Sequence, residues 1–368
     1  MSFNYDVRLA FDTSFTGKDL LRTTLRSGNA AASAFGFANG VTTGTAMEAF
    51  FQDPTIAGTA VNNVVGINRL FYQFPIGSNF TATFGARVRQ DDMLAVWPSA
   101  YPADTILDFF TYAGAPGTYT LNLGAGAGLW WKAGGFSLSA SYVSANGDSG
   151  NSNPYAGVNA SGAPIYGGIA TAASQQTSTV QLAYSGANYG LAAAYANNAH
   201  GGTAGLYGGN GTPLAAGGYA TVNSVVNSFG LSAYWSPLSA SWFPSLSTGW
   251  GINNYTSNNS GSFAALNYAG TKSQSWYLGM QWGDVLLKGN TFGMAFGQPT
   301  FVTSNSNGTS GANDGNYAWE WWYKMQVTDN ISVTPALYYL SAPLGELQKV
   351  NGQSFNNFGG LVKTTFRF

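Results

Sequence analysis

Six of the seven arginines, Arg8, Arg22, Arg26, Arg69, Arg87 and Arg89, fall in the first quarter of the chain, and the carboxylates Asp91, Asp92, Asp104 and Asp108 follow directly. No acid, base and nucleophile constellation converges among them. Set against each other across a narrow passage, they create a transverse field that orders water and ions and favours small polar solutes over apolar ones. Arg22 and Arg26 alternate with Leu21, Thr23 and Leu25; Arg69 shares parity with Ile67, Phe71 and Gln73; Arg87 stands opposite Phe84, Ala86 and Val88. Alternation therefore places most of these guanidinium groups on one polar wall. The acids belong to segment 90–118, where they interleave with Met93, Leu94, Trp97, Tyr101 and Phe109. This segment reads as a loop folded inward and packed on the wall through its aromatics, its carboxylates facing the arginines. A second reading pairs Arg and Asp within the wall as braces. A cation site at Asp91-Asp92 lacks further oxygen ligands at a recognisable spacing.

Little else in the chain suits chemistry. Cysteine is absent and His200, the single histidine, lies in the Gly-rich stretch NNAHGGTAG with no nameable base or nucleophile beside it. Thiol catalysis, thiolate metal sites and disulfides are excluded, and no cofactor or metal is implied. Gly124, Gly126 and Gly128 in LGAGAGLWW sit within an alternating strand. Without the helix of a phosphate-binding fingerprint, they read as places of close backbone packing. An enzyme is not expected.

These groups need a scaffold, and composition narrows it. Charged residues are 8% of 368, against about a quarter in ordinary soluble domains, while Gly numbers 49 and aromatics make up 15%. The apolar fraction is 45% with mean hydropathy near zero, and no run approaches the roughly 18 apolar residues of a membrane-spanning helix. A net charge of -1 argues against a nucleic-acid partner. Any membrane signal must be spread over strands. Met1 is followed within two residues by the strand-like FNYDVRLAF, so no secretory signal is read there and the chain reads as a mature or trimmed product.

Alternation dominates in runs of about 8 to 12 residues, the length with which a tilted strand crosses the apolar layer. Phe3, Tyr5, Val7, Leu9 and Phe11 share one face and Asn4, Asp6, Arg8, Ala10 and Asp12 the other; Tyr317, Trp319, Trp321, Tyr323, Met325 and Val327 alternate with Ala318, Glu320, Trp322, Lys324 and Gln326. Further strands are expected near 20–27, 45–52, 65–75, 79–89, 121–132, 135–145, 177–185, 188–197, 224–235, 245–255, 273–283, 290–298, 330–341 and 360–368, making about 16, with 14 or 18 as alternatives. Charge deep within strands and Trp or Tyr at their ends favour lipid contact over a soluble core. Short links alternate with long Gly, Ser and Asn-rich ones, except in the first 60 residues, where Thr16 to Asp19 is a short link and 28–44 a long one, out of phase with the later pattern, as an upstream strand missing from this chain or one misread hairpin would produce. The expectation is an all-β transmembrane antiparallel barrel over 1–368, with 90–118 as its constriction loop. The chain stops on Phe368, sharing a face with Phe366, Thr364 and Val362, which looks like the assembly signal of outer-membrane barrels.

Three stretches, DTSFTGKDLLRTTLRSGN at 12–29, NRLFYQFPIGSNFTATFGARVRQDDMLAVWPSAYP at 68–102 and FTYAGAPGTYTLNLGAGAGLWWK at 110–132, resemble the cyanobacterial outer-membrane porins of the carbohydrate-porin (OprB-like) superfamily, the surface-layer-homology or iron-uptake group. The resemblance is closest over about the first 145 residues. It implies a homotrimeric barrel in outer-membrane lipid that passes small ions and inorganic solutes. It also implies an N-terminal surface-layer-homology domain that binds peptidoglycan, a domain not recognised in this chain. The leading expectation is passive diffusion of small hydrophilic solutes. The alternatives are a selective channel for carbohydrates or iron species with Trp97, Tyr101 and Phe109 as a stacking path, and an adhesive barrel with a plugged lumen.

Overall fold

The computed structural model describes residues 3–29, 63–102, 106–148, 167–171, 174–199, 210–212, 214–215, 225–240, 242–255, 270–305, 314–346 and 356–368. Fifteen strands form one sheet in chain order: β1 (Asp6–Thr13), β2 (Leu20–Gly28), β3 (Gly66–Ile76), β4 (Phe80–Arg89), β5 (Leu123–Ala133), β6 (Phe136–Ser144), β7 (Gln176–Ser185), β8 (Tyr189–Ala199), β9 (Val225–Trp235), β10 (Ser245–Tyr255), β11 (Gly270–Gly283), β12 (Thr291–Asn305), β13 (Tyr317–Gln326), β14 (Ile331–Ser341) and β15 (Asn356–Phe366). Each pairs antiparallel with the next. The sheet curls into a barrel. Fifteen of the sixteen expected strands are found; the other, 45–52, lies outside the described residues. Because β2 pairs directly with β3, the links keep strict phase, short after every odd strand and long after every even one.

Two chemistries divide the wall. On β7, Val180 and Leu182 are exposed while Thr177, Thr179, Gln181 and Ala183 are buried; on β8, Leu191 and Tyr195 face out and Ala192, Ala194, Ala196 and Asn198 face in. This is the reverse of a soluble barrel, whose apolar side points inward. Aromatic rings gather at the short-turn end, with Phe136 4.8 Å from Tyr184, Tyr184 5.8 Å from Tyr189 and Trp235 5.6 Å from Phe243. Amphipathic rings at strand ends suit a headgroup level.

Alternation fails at two places near the arginines. The β2–β3 register shifts where Arg69 pairs with Thr24 but Ile67 with Leu25, so Ile67 is exposed while Asn68 and Arg69 are both buried. Ile67 therefore does not share the face of Arg69. On β4 the register shifts between Gly85 and Val88, and Val88, expected on the lipid side, is fully buried against Phe71, Met93 and Val143. Bulges add one residue to one strand and reverse parity beyond it.

The short β1–β2 turn is organised by Asp19. Its carboxylate accepts from the Ser14 and Thr16 hydroxyls, the Phe15 and Thr16 amides and the Tyr72 hydroxyl, the last at 2.7 Å. Those bonds, the Thr16 hydroxyl's foremost, hold the acid well below the usual carboxylate range. A carboxylate depressed in the folded state stabilises above its unfolded value near 3.8 and loses that contribution as pH falls below it. Asp19→Asn should lower stability at neutral pH and flatten the acid limb of the profile, measured by urea unfolding in liposomes. In the same assay Val180→Arg, charging the lipid face in mid-strand, should cost about 2–4 kcal/mol.

Candidate functional site

The site is built on the link from β4 to β5. It opens with a 3₁₀ turn at Gln90–Met93, and a second covers Asp108–Thr111. Its outward limb meets the wall through Ala95 N to Ser139 Oγ at 3.0 Å on β6, Gln181 Nε2 on β7 to Val96 O at 2.8 Å, and Ala100 N to Ser247 Oγ at 2.9 Å on β10. At the far end the Tyr101 hydroxyl and the Leu107 amide both donate to the Glu320 carboxylate on β13, each at 2.7 Å. The return limb accepts from Ser275 on β11 at Gly114 O, Ser232 on β9 at Ala113 O and Asn198 on β8 at Gly117 O. The loop therefore runs out and back inside the barrel, along the inner face of the wall as far as β13.

Seating it requires an absence of side chains on the wall. A Cβ on Gly249 would collide with the Ala113 carbonyl, and one on Gly279 would come within 2.7 Å of the Tyr101 ring. Gly128 performs the same service for Met93, so LGAGAGLWW is close packing, as its strand setting implies. Tyr101, Ile106, Leu107, Phe109 and Phe110 form one cluster with Tyr277, Ala295, Ala318, Trp322, Ala336, Tyr338 and Leu340 of the far wall. Residues 106–120 are buried throughout, whereas most of 91–102 is only partly buried. Water therefore reaches the outward limb.

Among the described residues, five ion pairs join the arginines of β1 to β4 to nearby carboxylates. Arg69 Nε donates to Asp92 at 2.6 Å, Arg89 clasps Asp91, Arg22 grips Asp12 with two bonds, and Arg26 and Arg8 share Asp6. Asp91 and Asp92 thus meet arginines at the loop's own root, not across a gap; this is the bracing geometry. Although burial opposes it, the Arg89 charge holds Asp91 below the usual carboxylate range, while burial and the Asp91 charge push Asp92 up. Asp108 does not face the arginines: it is buried, accepting from Asn210 Nδ2 at 2.8 Å. Asp104 and His200 lie outside the described residues.

Tyr101 and Phe109 are buried packing residues and offer no stacking path to a solute. Trp97, partly buried, stands edge-on to Tyr119 at 5.2 Å. Sequence reasoning missed Glu320 as a loop anchor. Its signal was a lone acid between Ala318 and Trp322 on an inward face.

Arg69 and Asp92 side chains keep only 9% and 14% of their accessible surface. Removing one member of so enclosed a pair strands the other charge. Arg69→Met should cost roughly 3 kcal/mol, and Asp92→Asn in that background should recover much of it. A double-mutant cycle by urea unfolding checks this; additive losses would contradict the coupling.

No family model matches the sequence. An uncharacterized protein of Synechocystis is 30% identical over 381 aligned residues, covering all of this chain and 64% of the relative; one from Nostoc is 29% identical over 400, covering 61% of its length. The chain thus spans under two thirds of these relatives. Among solved structures, Pseudomonas putida OprB superposes with a TM-score of 0.56 at 10% identity, over 99% of this chain and 87% of that one. Salmonella typhi OmpF, in a complex with daunomycin, gives 0.52 at 11%, over 98% and 89%, and Vibrio cholerae OmpT, an outer membrane protein, gives 0.52 at 8%, over 99% and 89%. With identities this low the likeness is one of architecture, and this chain has the β-barrel fold of outer-membrane porins.

Proposed function

We propose that this chain is the barrel of an outer-membrane porin through which small hydrophilic solutes and inorganic ions diffuse passively. The observation that carries it is the loop folded inside the barrel along the wall from β4 to β13, with Arg69 and Arg89 paired to its partly buried outward limb. A chain braced only for stability has no need of a segment folded into its interior. The arginine–aspartate pairs brace the wall and still present guanidinium groups to water, since the Arg22 and Arg89 side chains retain 37% and 31% exposure. Relatives in Synechocystis and Nostoc support a cyanobacterial outer membrane as the setting. The homotrimer, and peptidoglycan tethering through a separate domain, rest on the family resemblance. A channel selective for carbohydrates or iron species gains nothing from Tyr101 and Phe109, which are enclosed.

Purified chain in planar bilayers should give discrete conductance steps, and their absence would sink the pore reading. In liposome swelling, a smooth fall of rate with solute size separates passive diffusion from a selective channel. Reversing charge with Arg22→Glu and Arg89→Glu together should move the reversal potential in a salt gradient toward cation preference, with the folded barrel retained on unheated gels.

A further inference from the structure

The loop's hold on the wall is uneven. Beyond the Arg69–Asp92 pair at the root, the wall side chains that hydrogen-bond its two limbs include Ser139, Gln181, Ser247, Tyr277, Ser275, Ser232 and Asn198, all neutral; at the far end stands the Glu320 carboxylate. Bonds to an ionised acceptor are about twice as strong as neutral ones. Glu320 receives two, from opposite sides of the turn: Tyr101 Oη on the outward limb and Leu107 N on the return. It thereby ties both limbs to one point on β13. Trp322 Nε1 completes the knot by donating to Tyr101 Oη at 2.8 Å. Burial, with the Glu320 charge beside it, holds the Tyr101 phenol well above its usual value, so that it stays a donor.

The choice of residue is informative. Glu320 is fully buried with the loop in place, bonded to Tyr101 and Leu107 of the apolar cluster. A leucine there would serve packing alone. An acid in such a place is costly unless its partners are supplied, and here the loop supplies two of them. Were the loop to lift, Glu320 would face a water-filled lumen and be solvated instead. The carboxylate thus has two acceptable states, one fastened and one hydrated, where an apolar anchor has one.

We propose that Glu320 is the positioning residue of the channel, fastening the far end of the inserted loop so that the loop's seat on β13 sets the open cross-section. This rests on the pore reading above. The assay is single-channel recording of the whole chain, with barrel integrity followed separately by gel migration without heating. Glu320→Ala should raise unit conductance roughly twofold or more and add open-channel noise, since the narrowest part of a pore dominates its resistance. Glu320→Gln keeps an acceptor for Tyr101 but turns a donor toward Leu107, and should fall between. The cysteine-free sequence allows a staple: a Cβ on Gly279 would lie 3.3 Å from that of Tyr101, close to the span of a disulfide. In the Glu320→Ala background, Tyr101→Cys with Gly279→Cys should restore wild-type conductance when oxidised and lose it when reduced. If Glu320→Ala does not fold, the same staple beside Glu320→Gln carries the test. A conducting wild type with unchanged conductance in the folded Glu320 variants, or a staple without effect, overturns the proposal. A silent wild type overturns the pore reading instead.

Discussion

A peptide segment drawn through a barrel takes its amides and carbonyls out of bulk water, and each must find a partner or forfeit a hydrogen bond's worth of stability. That demand explains the lumen face of β6 to β13. Ser139, Ser247, Ser232, Ser275, Asn198 and Gln181 do not line a generic polar pore; each is spent on a specific atom of the loop. Where no hydroxyl is wanted the wall falls back to glycine, as at Gly249 and Gly279, so that backbone can lie on backbone. The low charge and high glycine content seen in the sequence are thus two sides of one requirement. A long loop is accommodated inside a wall that must also present an unbroken apolar surface outside.

Much of this was legible in advance because the two faces of a strand alternate with period two and are wetted by different media. Val180 and Gln181 could be assigned without any structure, and so could the inward course of 90–118, whose aromatics had to be covered. The sequence could not show bulges. Ile67 and Val88 were misplaced because one extra residue reverses parity, and nothing in the side-chain pattern announces it. The expected strand at 45–52 lies outside the described residues, and the direct pairing of β2 with β3 leaves the links in phase, short after odd strands and long after even ones.

The acidic residues were harder, since spacing along a chain says little about which carboxylate meets which cation. Asp91, Asp92 and Asp108 appear in the sequence as one series, yet they do three different things. Asp91 is clasped by its near neighbour Arg89 and Asp92 by Arg69 from β3, while Asp108 is carried to the opposite side and buried against Asn210. Local pairing also resolves a difficulty of the arginine wall. Arg8 and Arg26 stand directly opposite each other in the β1–β2 register, and the carboxylate of Asp6 between them replaces a repulsion with two ion pairs. The same pairs that brace the wall leave the Arg22 and Arg89 side chains partly exposed.

The two ends of the loop are held by different means. At its root the chain is fixed covalently to β4 and ionically through Arg69 and Arg89, so displacement there would expose several charges together. At its tip the apolar cluster resists water, and Glu320 with its two donors gives the seat a direction. Apolar packing tolerates sliding, because a ring loses little by shifting along a surface of similar groups, whereas a charge-assisted hydrogen bond weakens steeply with distance and angle. On the proposed reading the position of the tip, and hence the width left beside the arginines, follows the smaller and more directional of the two forces. The larger one merely keeps the loop dry.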